Sequence, residues 1–157
     1  MMPMRVIESI LRDEVITLFD GGALERDWTY IDDIVAGVAA ALEHPAEITV
    51  RIVGAEEAQA LNQDFRQKGY VPNVLTFEYG EILPGVLGGD VVICAPVVER
   101  EAREQGKPLK HHYAHMTIHG VLHLQGYDHI EPAEAEIMES REAAILRQFH
   151  IPNPYTS

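Results

Sequence analysis

Basic residues are scarce in this chain. Its 12 Lys and Arg stand against 25 Asp and Glu, giving a formal net charge of −13. Proteins that coat nucleic acid draw much of their affinity from phosphate neutralisation, so the overall balance excludes that class. An enzyme with a local basic cleft stays open, because salt screens distant surface charge beyond about 8–10 Å. Cysteine is limited to Cys94, which excludes an internal disulfide and points to a reducing compartment, with cytoplasm as the expectation. No apolar run approaches the ~20 residues of a membrane span, so no membrane partner is expected. The opening MMPMRVIESILRDEV has acidic residues breaking its apolar positions and does not read as a secretory leader. Repeats, low-complexity tracts and Gly/Ser/Pro-rich linkers are missing too, so one domain over residues 1–157 is expected. With 46% hydrophobic and 24% charged residues, the composition is that of a globular protein able to bury a core.

The patterning present alternates between two periods. Arg5 to Phe19 reads as a strand, with Asp20-Gly21-Gly22 turning the chain. Ile31, Ile34, Val35, Val38, Ala39 and Leu42 recur at three and four and predict a helix over Thr29–Leu42. ITVRIV at Ile48–Val53 predicts a strand, Glu56–Arg66 a helix, and Val74–Phe77 a short strand. Glu81–Gly88 reads as a loop and Asp90–Cys94 as another strand. Three helices follow, opened near Pro96, Pro108 and Pro132, with Gly106 and Gly126 ending the first two. The pattern predicts an α+β fold, a small mixed sheet packed with about five helices.

Histidine is concentrated in one stretch, and HGVLHLQGYDH at residues 119–129 carries the chemistry. His119 and His123, four apart on a helix, project from one face about 5–6 Å apart at Cβ. Two imidazole nitrogens at ~2.0–2.1 Å from one zinc fit that spacing. Adding His115 would string three rings along ~12 Å of helix axis, too long for a single ion. Gly126 lets the chain turn back, so His129 completes the set. Three neutral imidazoles with a fourth position open describe a catalytic site, where a structural zinc would take four protein ligands. One Zn²⁺ is expected, although imidazole also suits other divalent transition metals. His111 and His112 read as solvated or hydrogen-bonded residues, and His115 as a residue beside the ligands or against the substrate. The spacing matches the metalloprotease pattern H-E-x-x-H-x-x-G-x-x-H with one difference: Gly120 replaces the glutamate that serves as general base.

The stretch from His119 to His129 resembles the signature of the YbeY endoribonucleases. Leu61-Asn62, Phe65-Arg66 and Lys68 are similar to that family's L-N-x-x-[YF]-R-x-K, Asn73–Phe77 to its [ND]-V-L-S-F, and Leu87–Cys94 to its L-G-D-[IL]-V-I-[CS]. Gly69, Pro72 and an extra glycine at 88–89 depart from the pattern. The resemblance spans residues 48–155. It implies a zinc-dependent, single-strand-specific endoribonuclease acting in 16S rRNA 3′-end maturation and ribosome quality control. Its partners would be single-stranded rRNA and the ribosome or its proteins, with no DNA. It also implies a cleft arginine, by motif position Arg66.

Charge building on phosphate oxygens is stabilised by a metal and a guanidinium, which gives Arg66 its catalytic assignment. Lys68 reads as a solvated helix-end cation. Asp128 is assigned to orient a ligand histidine through its ring N–H, or else to supply a base. Two rivals remain: a metalloprotease-like peptide hydrolase, disfavoured by Gly120, and a non-catalytic zinc-stabilised module that docks on the ribosome.

Overall fold

The structure, a computed structural model, describes residues 5–11, 14–20, 31–128 and 130–155. In chain order these form β1 (Arg5–Leu11), β2 (Glu14–Asp20), α1 (Ile31–Ala41), β3 (Ala46–Val53), α2 (Ala55–Arg66), β4 (Val74–Leu83), β5 (Val86–Cys94), α3 (Ala95–Gln105), α4 (Leu109–Leu124) and α5 (Pro132–Gln148). The strands build one sheet in the order β1-β2-β3-β5-β4. Both outer pairs are antiparallel, and β3 runs parallel to its neighbours β2 and β5. Parallel neighbours require crossovers, which α1 supplies between β2 and β3. The fold is the expected α+β arrangement, a mixed sheet with five helices among the described residues.

The sheet has a thick and a thin side. Ala46, Ile48, Val50 and Ile52 alternate along β3 and face a core containing Ile34 and Val38 of α1, Tyr113, Ile118, Val121 and Leu122 of α4, and Met138 and Ile145 of α5. On the opposite face a smaller cluster joins Val53, Leu75, Val92 and Cys94 to Ala58 of α2 and Val97 of α3. Cys94 is buried there and burial pushes its thiol pKa up, so it is an inert packing residue. No helix among the described residues is long and apolar enough to cross a membrane.

Two expectations differ from the fold. Arg5–Phe19, read as one strand, is a pair of antiparallel strands with Leu11 opposite Glu14; the connection is too short to leave a compositional mark. Glu81–Gly88, read as a loop, is the far end of a β4–β5 hairpin turning at Pro84-Gly85, where Gly85 has φ 76°. Residues Glu78 to Leu83 are exposed, so the β4 arm of this ribbon has no buried face to impose an alternating pattern. Its register shifts between Glu78 and Gly80, the mark of a bulge.

Helix α4 is the central element, and it lies close against the sheet at Gly120. A Cβ on that residue would stand 2.7 Å from Val91 Cγ1 on β5 and 3.4 Å from Thr76 Cγ2 on β4. Glycine is required here by proximity. Gly120→Val should therefore cost the about 1–3 kcal/mol of an overpacked core, with little helix-propensity gain from a β-branched residue to offset it. Urea unfolding checks this, and an unchanged midpoint and slope would show that the helix can lift off the sheet freely.

Candidate metal centre and active site

The end of α4 is tied down at several points. Gly126 has φ 100°, the positive value that the turn after the helix needs. Tyr127 N–H returns to Leu122 O at 3.1 Å, closing the helix end. Gln125 donates from Nε2 to Ala41 O at 2.7 Å and accepts at Oε1 from Glu43 N–H at 2.6 Å, while Tyr127 OH bonds the Glu43 carboxylate. The bend is thus fastened to the end of α1, and the direction in which the chain leaves it is set. Asp128 follows, half-buried; His129, the third expected ligand, lies outside the described residues.

The rings of His119 and His123 lie with centroids 4.7 Å apart and planes at 77°. Nδ1 of His119 donates to Oε1 of Glu142 on α5. Glu142 is 0% exposed, and its Oε2 accepts from Nε2 of His115 at 3.0 Å and from the hydroxyl of Tyr155. His115, one turn before His119, is itself buried and sits edge-on to Tyr155. Burial alone would raise the Glu142 carboxyl; the bonds from His115 and His119, the His119 charge and the Tyr155 hydroxyl outweigh it and hold the pKa at about 2. Burial and the adjacent carboxylate push the Tyr155 phenol up, so it remains a donor.

This donor set suits zinc. With Nδ1–H donated to Glu142, His119 keeps its lone pair on Nε2, and the His123 ring lies alongside it. No three metal-binding groups converge among the described residues, which exclude His129. Gly120 also explains the missing protease base, because a glutamate in its place would have to enter the sheet.

Arg66 ends α2 and donates from Nη2 to Thr76 O at 3.1 Å on the outermost strand of the sheet. Thr76 has its methyl toward Gly120, so one residue of β4 is shared by the arginine and by the helix that carries the histidines. Arg66 lines a groove of ≈ 680 Å³ together with Arg51, Phe65, Phe77, Tyr79 and Asp90. Phe65 and Tyr79 are largely exposed there, Arg51 pairs with Glu57, and Tyr79 OH donates to Asp90 Oδ2 at 2.6 Å. Lys68, past the helix end, is exposed as expected.

Residues 25–150 match the family model described as Endoribonuclease YbeY. The chain belongs to the YbeY endoribonuclease family. The endoribonuclease YbeY of Thiobacillus denitrificans is 81% identical over 120 residues, 76% of this chain and 82% of that protein. That of Methylococcus capsulatus is 62% identical over 119 residues, covering 74% and 79%. Among solved structures, the solution structure of TM1509 from Thermotoga maritima is 24% identical, with a TM-score of 0.48, covering 82% of this chain and 89% of that one. A YbeY-family member is a nuclease, and RNA is its substrate class.

Sequence reading passed over Glu142 and Tyr155. A signal was present for the first: Met138, Glu142 and Ile145 share one face of α5, so a carboxylate occupies a core position of an amphipathic helix. Tyr155 is thirteen positions on, beyond any helical period, and only the fold brings it in. His112 proves to be a hydrogen-bonded residue, its Nε2 2.9 Å from Glu101 Oε1. Burial, then Lys107 and His115, lower its pKa against the opposing pull of Glu101. A depressed folded pKa means that the unfolded chain binds the extra proton first. Stability contributed by His112 should therefore be full above the ordinary 6.5 and fall as the pH drops from there toward the depressed folded value. Urea unfolding between pH 7.5 and 5.5, with His112→Asn alongside, measures it; an equal pH slope in the two proteins would refute the assignment.

Proposed function

We propose that this chain is a zinc-dependent, single-strand-specific endoribonuclease acting in the cytoplasm on the 3′ end of 16S rRNA and in ribosome quality control. The observation that carries the reading is the His119–His123 pair, 4.7 Å between centroids, with the Nδ1 proton of His119 already committed to a buried carboxylate. His129, arriving from beyond Gly126, would complete the ligand set, with Asp128 orienting that ring. Zinc, when bound, would supply Lewis-acid stabilisation of the charge that develops on the phosphate oxygens.

The chain's own residues do the rest. Arg66, braced on Thr76 O, offers its guanidinium to a non-bridging phosphate oxygen and holds the scissile group in place. His115 serves beside the ligands, on the carboxylate that His119 uses. The nucleophile is the substrate's own 2′-hydroxyl: its oxygen bonds to phosphorus as the bond to the 5′-oxygen breaks, its proton passing to water and the departing 5′-oxygen taking one up from water, which leaves a 2′,3′-cyclic phosphate and a 5′-hydroxyl. A carboxylate base at position 120 is then dispensable. Alignment of the attacking and leaving oxygens requires a pliable backbone, which favours single strands over duplex. The acidic surface suits docking on basic ribosomal proteins better than on bare RNA.

Arg66→Ala with zinc content intact should slow cleavage of a labelled single-stranded RNA by about 10²-fold or more, and His123→Ala should lose both zinc and activity. Undiminished turnover by the arginine variant would remove Arg66 from the mechanism. Hydrolysis of casein with RNA untouched would favour a peptide hydrolase, and zinc retention with neither activity a docking module.

A further inference from the structure

We propose that Glu142 is the positioning residue of the metal centre: it accepts the Nδ1–H hydrogen bond of His119 and, braced by His115 and Tyr155, holds that ring with its lone pair on Nε2, the nitrogen that would bind an ion. The proposal rests on the zinc reading above and goes beyond it, since it assigns a function to α5 and to the C-terminal segment.

A carboxylate with no exposed surface, set among Met138, Ile145 and Leu146, is costly unless its lone pairs are met. Here they are met from three directions. His119 and His115 come from α4, and Tyr155 from the segment that follows α5. The Tyr155 hydroxyl also lies 3.1 Å from His115 Nε2, so the three donors form one connected cluster. Its parts are unequal in role. Of these bonds, the one from His119 decides which of its ring nitrogens carries the lone pair; His115 and Tyr155 act by holding Oε2, which keeps Oε1 aimed at His119. A carboxylate free to rotate would let the imidazole turn or change tautomer, and an ion would then lose one of its nitrogens for part of the time. The Tyr155 hydroxyl itself ties the C-terminal segment to α5, and within that segment Tyr155 N–H donates to Asn153 Oδ1 at 2.9 Å, shaping the turn that carries the ring.

The full-length protein tests this by zinc titration against a chromophoric chelator, with melting of the metal-free form measured in parallel. Glu142→Gln should weaken zinc binding by about 10–100-fold, Tyr155→Phe should weaken it by a smaller factor, and Glu142→Asp, one methylene shorter, should not restore it. A folded Glu142→Gln protein with wild-type zinc affinity and only a shifted melting temperature would overturn the proposal and leave the cluster a packing device. Should that variant fail to fold, nitrogen NMR of the metal-free wild type decides, because His119 must be the Nδ1–H tautomer; the Nε2–H form overturns the assignment. The zinc reading fails separately: His123→Ala would then bind zinc as wild type does.

Discussion

Everything at the site depends on how closely α4 lies against the sheet. At Gly120 no side chain separates the helix from Val91 and Thr76, and the helix is seated at a distance that a methyl group would already exceed. That seating sets α4, the helix that carries His119 and His123, against the strand whose carbonyl anchors Arg66. It also accounts for the chemistry left out. The position that carries the general base in peptidases of similar spacing is the contact point with the sheet, and it has no room for a carboxylate.

The second organising element is a carboxylate placed where an apolar side chain would ordinarily sit. Glu142 interrupts the buried face of α5 and draws α4 and the C-terminal segment to one point through His119, His115 and Tyr155. Burying a charge in this way contributes less to stability than a well-packed methyl-bearing side chain would, and what it supplies instead is direction. It fixes which nitrogen of His119 faces away from the core. His112 and Glu101 make a smaller pairing of the same kind further back along α4, where it ties that helix to α3.

Charge is distributed with a similar division. The molecule is acidic as a whole, yet Arg51 and Arg66 both line the groove beside β4, in company with exposed Phe65 and Tyr79. Arg51 is largely spent on Glu57, and Asp90 is spent on Tyr79. Arg66 donates to a neutral carbonyl at Thr76, a contact that leaves its charge uncancelled. The local field at that groove therefore differs from the field of the whole surface, and salt screening keeps the two separate.

The sequence by itself determined whatever depends on neighbours along the chain. The helices came through their three-four period, β3 and β5 through β-branched runs, and the bend after α4 through Gly126. The four-residue spacing set His119 and His123 on one face, since helix geometry permits no other outcome. The outer half of β4 escaped because an exposed strand without a buried face has no period to read. What only the tertiary structure decided is which distant groups meet. Glu142 reaches His119 across 23 positions, Tyr155 meets His115 across 40, and Arg66 rests on a strand ten residues away. Such contacts leave no periodic trace, because they are set by how helices and sheet pack and not by the path of the backbone between them.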